Sequence, residues 1–79
     1  MVEQPDETRL VQISKEPIEL YKLLKIANIA SSGGEAKHLI AEGLVRVNGV
    51  IETRKRKKIS SDDIILFENI KLKVTTQQK

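Results

Sequence analysis

Residues 31–49, "SSGGEAKHLIAEGLVRVNG", contain the signals for one complete helix and the start of a hairpin. Ser32 and Glu35 have the capping-box spacing, in which the hydroxyl and the carboxylate each accept a hydrogen bond from a backbone N–H of the first turn. Gly43 is placed as the left-handed residue that ends the helix. The buried face between these two ends is predicted to consist of Ala36, Leu39 and Ile40.

The segment before this helix predicts a strand and an earlier helix. Residues 8–13, "TRLVQI", are rich in β-forming residues and indicate a short strand. Pro17 suits the first position of a helix, because the N–H that proline lacks would have no partner there. Asn28 and the small residues after it are expected to end that helix. Its apolar face is predicted to consist of Leu20, Leu23, Leu24 and Ala27.

The segment after Gly43 predicts extended structure. Asn48-Gly49 is a strong signal for a tight turn, and it joins strands at 44–47 and 50–52. Further strands are predicted at 64–67 and 70–74, with a turn at 60–63 that contains the paired carboxylates Asp62 and Asp63. The predicted fold is α+β, with two packed helices followed by a small, mostly antiparallel sheet. We expect one domain over residues 8–75, a flexible arm at 1–7 and a frayed tail at 76–79.

Composition restricts the function classes. The chain has 79 residues, no cysteine and two aromatic residues, Tyr21 and Phe67. Residues 1–20 carry a net charge of −3, whereas residues 21–60 carry nine Lys and Arg against three Glu, a net of +6. Five of these nine are consecutive, at residues 54–58, "RKRKK". A local basic surface predicts an anionic partner, most commonly a nucleic acid, although a solvated charged surface also fits the charge alone.

Residues 31–49 also resemble the S-four RNA-binding domain, the αL motif found in a small-subunit ribosomal protein, several pseudouridine synthases and tyrosyl-tRNA synthetases. The resemblance extends from about residue 20 to residue 67. Gly33 departs from the family pattern, in which an Arg commonly follows the Ser, and Asp62-Asp63 stands where a Gly-Asp is common. The matching positions, in order, are Ser32, Glu35-Ala36-Lys37, Leu39-Ile40, Gly43 and Val45-Arg46-Val47-Asn48-Gly49.

The resemblance implies that the second helix and the following hairpin form one RNA-facing surface. It also implies that the basic run lies with them and supplies contacts that the missing Arg would otherwise make. Structured RNA, ribosomal or transfer RNA, is the expected partner, because two aromatic residues are few for stacking on single strands. The RNA-binding residues expected from this resemblance are Lys37, His38, Arg46, Asn48, Arg54, Lys55, Arg56, Lys57 and Lys58.

Other readings remain open for several of these features. Gly33 and Gly34 can expose backbone N–H groups to a phosphate, but two glycines also suit a tight turn between helices. Tyr21 can stack on a base, whereas a single tyrosine on an amphipathic helix more often belongs to the packing. At the level of function, the alternatives are a module that binds an acidic protein partner and a non-specific DNA-binding protein.

The sequence contains no motif for catalysis. A lone histidine, His38, forms neither a metal site nor a catalytic dyad, and we expect no enzyme activity, no cofactor and no small-molecule substrate. The acidic N-terminus is not a secretory signal and no apolar run is long enough for a membrane span. We therefore expect a cytoplasmic protein that does not act at a membrane, and the resemblance implies an association with ribosomes. The sequence does not determine the oligomeric state, for which we expect a monomer.

Overall fold

The structure, a computed structural model, describes residues 7–76, so most of the expected arm and tail lie outside the described residues. The predicted α+β fold is confirmed. The first strand begins at Glu7 and the last ends at Thr76. In chain order the elements are β1 (Glu7–Ile13), β2 (Ile18–Glu19), α1 (Leu20–Ile26), α2 (Gly33–Ala41), β3 (Val45–Val47), β4 (Val50–Ile51), β5 (Lys58–Ile59), β6 (Ile64–Phe67) and β7 (Ile70–Thr76).

The main sheet has five strands in the order β1-β7-β6-β3-β4. Neighbouring strands are antiparallel except for the first and last strands of the chain, β1 and β7, which pair in parallel from Glu7↔Ile70 to Ile13↔Thr76. This pairing places the first and last strands of the described chain side by side. A separate two-stranded ladder joins β2 to β5, with Glu19 opposite Lys58.

One face of the main sheet and both helices share a single apolar core. Alternate residues of the strands point into it, as the period of two requires, and neither helix of residues 7–76 lies on the other face of the sheet. The side chains of α1 and α2 that were predicted to face inward are buried, except for Leu39, which is partly buried. The largest fully buried side chains are Leu20, Leu23, Leu24, Ile40, Val45, Ile59, Ile65, Leu72 and Val74.

Helix α1 does not begin at Pro17, so that prediction is wrong. The Glu16–Pro17 peptide bond is cis, and the residues after it form β2 before the helix starts at Leu20. The side chain of Glu19, the N-cap residue, makes no capping hydrogen bond; instead, the N–H groups of Leu20 and Tyr21 donate to the carbonyl oxygens of Lys57 and Lys55 at 2.9 and 3.1 Å. The start of α1 is therefore set by a segment more than 30 residues away in the chain.

Both helices end as the sequence predicts. Gly43 has φ +77°, and the N–H groups of Gly43 and Leu44 donate to the carbonyls of Ile40 and Leu39, which is the Schellman pattern. Asn28, with φ 63°, ends α1 in the same way. These positive φ values are why glycine and asparagine stand at the two positions.

The start of α2 agrees with the capping-box prediction in one half and differs in the other. The Ser32 hydroxyl accepts a hydrogen bond from the Glu35 N–H at 3.1 Å, as predicted. The Glu35 carboxylate, however, accepts from the N–H and the hydroxyl of Ser31 at 2.7 and 2.8 Å and not from the N–H of Ser32. These bonds lower the pKa of Glu35 from its ordinary value, since they favour the charged carboxylate.

Candidate nucleic-acid interface

The basic segment, defined as residues 54–58, is fixed to the rest of the fold through its backbone. Its carbonyl groups at Lys55 and Lys57 accept the N–H groups that open α1, and its last residue, Lys58, is paired in the ladder with β2. The N–H of Lys57 also donates to the carbonyl of Arg54 at 3.3 Å, which closes a turn within the segment. Although the backbone is fixed in this way, the side chains of the basic segment remain exposed except for that of Lys57, which is half-buried.

Two of the five basic side chains have acidic partners. The Arg54 guanidinium donates to the Glu52 carboxylate at 2.8 Å, and the Lys58 ammonium lies 4.0 Å from the Glu19 carboxylate. The bond from Arg54 lowers the pKa of Glu52, and the same bond raises the pKa of Arg54. Within the described residues, Lys55 and Arg56 take part in no ion pair and no side-chain hydrogen bond, and both are exposed.

Four of the basic side chains surround a concave surface. Arg54, Arg56, Lys57 and Lys58 line a shallow depression of about 310 Å³. Arginine and lysine at such a depression offer several N–H donors to the oxygens of one phosphate, and arginine can donate two at once. The geometry therefore suits an anionic group of small size.

Tyr21 contacts both the basic segment and Lys37. The backbone N–H of Tyr21 is bonded to Lys55, while the Lys37 ammonium lies 4.6 Å from the centroid of the Tyr21 ring. This distance is within the range of a cation–π contact. His38, the next residue of α2, is exposed, and in the described part of the chain its side chain makes no hydrogen bond or ion pair.

Arg46 lies on a different face from the helices. It is exposed between the buried Val45 and Val47, so its side chain leaves the sheet on the side that has no helix. The register of the sheet places it opposite Leu66, which is in turn opposite Lys71. Arg46 therefore belongs to a row across the open face of the sheet, and the contacts that link Lys37 to the basic segment do not include it.

Asn48 is bonded within the protein at both ends of its side chain. Its Nδ2 donates to Oδ1 of Asp63 at 3.1 Å, and its Oδ1 accepts from the N–H of Ile64 at 2.9 Å. Its backbone N–H donates to the carbonyl of Ile64, and its φ of 52° with 87° at Gly49 fits the predicted tight turn. Asn48 thus joins the turn between β3 and β4 to the start of β6.

Two lysines of α1 extend the basic surface and were not among the predicted site residues. Lys22 lies 3.6 Å from Glu19, the acidic residue that also faces Lys58, and Lys25 is exposed one turn further along. Both occupy positions outside the apolar face of α1. A basic residue at such a position is the feature of the sequence that could have indicated their place on the basic surface. The basic surface, as named from here on, consists of Lys22, Lys25, Lys37, His38 and the basic segment.

The described residues offer little for other kinds of chemistry. Among residues 7–76, no three His, Asp or Glu side chains approach one another as a metal site would require. Asp63 acts in the turn before β6, since its Oδ2 accepts from the N–H of Ser60 at 2.9 Å. Within the same range, no helix is long and apolar enough to span a membrane.

The chain belongs to the S4 domain family, because the family model for the S4 domain matches residues 11–75. This confirms the S-four resemblance. The "Putative RNA-binding protein YbcJ" of Escherichia coli (strain K12) is 46% identical over 56 residues, which cover 70% of this chain and 80% of that protein. The "Probable ribosome maturation protein RlbA" of Bacillus subtilis (strain 168) is 34% identical over 58 residues, which cover 73% of this chain and 82% of that protein.

A solved structure has the same fold. The solution structure of YbcJ from E. coli, described as revealing an αL motif involved in RNA-binding, superposes with a TM-score of 0.68. The identity is 37%, and the match covers 95% of this chain and 96% of that one. The arrangement of two helices and a mostly antiparallel sheet is thus shared along almost the whole length of both chains.

Proposed function

We propose that this chain is a non-catalytic RNA-binding domain that contacts structured RNA, ribosomal or transfer RNA, through its basic surface. Arg46 of the hairpin adds a contact from the neighbouring open face of the sheet. Asn48 takes part by holding the shape of the hairpin, since its side-chain amide is already bonded to Asp63 and Ile64. The chain acts in the cytoplasm and in association with ribosomes.

The observation that carries this proposal is the way the basic segment is held. A run of like charges would normally be a mobile loop, because the charges repel one another. Here the carbonyls of Lys55 and Lys57 are bonded to the first N–H groups of α1, so the run has a fixed backbone. The backbone that carries the unpaired Lys55 and Arg56 is therefore held at a constant position relative to α1.

A fixed set of cations suits recognition of RNA by shape. Affinity comes mainly from neutralised phosphates and released counterions, and selectivity comes from the spacing of phosphates in a folded RNA. The names of the relatives support this assignment: one is called an RNA-binding protein and another a ribosome maturation protein.

Two double variants of equal charge test the proposal. Lys55→Ser/Arg56→Ser removes two cations of the basic segment that have no acidic partner. Lys71→Ser/Lys73→Ser removes two cations from the open face of the sheet. The affinity of each for purified ribosomal RNA and transfer RNA is measured by fluorescence anisotropy over a series of salt concentrations.

The first double variant is expected to weaken binding at low salt more than tenfold. It should also reduce the slope of log affinity against log salt by about 1.5, at about 0.7–0.9 per lost phosphate contact. The second is expected to stay within about threefold of the unchanged protein. Equal losses in both variants would mean that the charge acts diffusely, and unchanged binding in the first would refute the proposed surface.

The alternatives give different results in the same assay. Duplex DNA that binds as tightly as RNA would favour a non-specific DNA-binding protein. A failure of every RNA to bind above background would favour an acidic protein partner. Crosslinking in cells, followed by sequencing of the bound RNA, then identifies the target.

A further inference from the structure

A groove beside Tyr21 has a character different from that of the basic depression. It has a volume of about 460 Å³ and is lined by Tyr21, Lys22, Lys25, Ile26 and Gly33. This volume is within the roughly 300–1,000 Å³ that small-molecule sites occupy. Ile26 is 54% exposed although it is a large aliphatic residue, and it supplies an apolar wall next to the aromatic ring.

The surroundings of this groove are positively charged. Lys22 and Lys25 are part of its wall, and Lys37 lies over the ring of Tyr21 at 4.6 Å. The stems of lysine side chains cover apolar surface while their ammonium groups stay in water. The groove therefore combines an aromatic and aliphatic floor with a rim of three cations.

Gly33 keeps the groove open. A Cβ atom at this position would lie 3.7 Å from two carbons of the Tyr21 ring, so any longer side chain would extend along the ring. Gly34, the next residue, has no such neighbour, because a Cβ there would meet only the Ser32 hydroxyl at 3.9 Å. Neither glycine has a positive φ, so both positions accept other residues without backbone strain.

We propose that this groove binds one unpaired nucleobase of the RNA, which contacts the Tyr21 ring while its flanking phosphates pair with Lys22 and Lys25. A nucleotide fits both halves of the site, since its base has an apolar face and its phosphate carries a negative charge. A purely apolar ligand would not use the cations, and a lone phosphate would not use the ring. This inference rests on the proposed function and adds a preference for RNA with a bulged or looped-out nucleotide.

The test uses the fluorescence of Tyr21, which is the only tyrosine in a chain without tryptophan. Two RNA hairpins are compared that differ at one position: one has a single bulged adenosine and the other has an abasic residue in the same place. The bulged hairpin is expected to bind about fivefold or more tightly and to quench the tyrosine emission, because base–aromatic stacking strengthens binding by that order. The abasic hairpin should bind more weakly and without quenching.

Two matched variants locate the effect. Gly33→Gln places a side chain along the ring and is expected to remove both the quenching and the preference for the bulged hairpin. Gly34→Gln changes the adjacent helical glycine in the same way and should retain both. Circular dichroism checks that each variant is folded, and the comparison of the two hairpins with the unchanged protein stands without either variant.

The outcomes separate this inference from the proposed function. If both hairpins bind equally and neither quenches Tyr21, the base site is refuted while RNA binding stands. If neither hairpin binds while ribosomal or transfer RNA does, the base site alone is refuted. If none of these RNAs binds, the proposed function fails and this inference fails with it. Quenching by free adenosine monophosphate at the same concentration would show a site for free nucleotides and would also overturn the assignment to RNA.

Discussion

Replacing Asn48 separates the two roles that this residue can have, a contact with RNA and a support for the hairpin. Asn48→Ala removes both side-chain hydrogen bonds, at 2.9 and 3.1 Å, and leaves the N–H of Ile64 without its partner. At about 1 kcal/mol each, these bonds account for a loss of about 2 kcal/mol. Alanine at a φ of 52° adds about 1 kcal/mol of backbone strain. The expected fall in the free energy of unfolding is therefore about 3 kcal/mol.

Asn48→Gly is the matched control, because glycine accepts the positive φ and loses only the hydrogen bonds. We expect it to cost about 2 kcal/mol, about 1 kcal/mol less than the alanine variant. Urea denaturation followed by circular dichroism measures both values. Below the unfolding transition, the glycine variant should bind RNA within about twofold of the unchanged protein. A stable glycine variant that bound RNA tenfold more weakly would refute the supporting role and make Asn48 an RNA contact.

Two further predictions concern stability. Ser32→Ala should lower the free energy of unfolding by about 1 kcal/mol and the thermal midpoint by about 4–8 °C, because the N–H of Glu35 loses its bond to the cap hydroxyl. The control Ser31→Ala keeps the bond from its backbone N–H to Glu35, so its free energy of unfolding should fall by less. For pH, the pKa of Glu16 is lowered from about 4.5, first by the N–H of Ser61 and then by its hydroxyl. A lowered pKa in the folded state means stability that is present above about pH 4.5 and lost as the pH falls through the folded value. Glu16→Gln should therefore show a shallower loss of stability between pH 6 and pH 3 in urea denaturation, and curves that run parallel would contradict this.

The signals that predicted the fold correctly act over a few residues. The cap at Ser32, the left-handed residues at Asn28 and Gly43 and the turn at Asn48-Gly49 are each set by neighbours in the chain. For the same reason the second helix and the hairpin could be placed from the sequence. In β7 the buried Leu72 and Val74 alternate with the exposed Lys73, so the period of two in the sequence indicates which face of this strand meets the core.

The features that the sequence did not predict depend on distant partners. Pro17 fits the first turn of a helix by local rules, but the residues after it pair with Lys58 and Ile59 some 40 positions later. The parallel pairing of β1 with β7 likewise joins the first and last strands of the described chain. The alternation around Arg46 implies that it faces away from the core. Only the order of the strands and the position of the helices show that this face is open and also carries Lys71.

The basic segment has a structural role as well as the proposed role in binding. Its backbone performs the first, and its side chains perform the second. Carbonyl groups at Lys55 and Lys57 satisfy the first N–H groups of α1, which has no capping side chain of its own. Glu52 and Glu19 offset the charge at the two ends of the run, at Arg54 and Lys58. The repulsion that remains is concentrated in the middle of the run, and an anion bound there would relieve it. Binding of a phosphate backbone would therefore stabilise the turn that opens α1, so that the folded state and the RNA-bound state favour the same conformation of this segment.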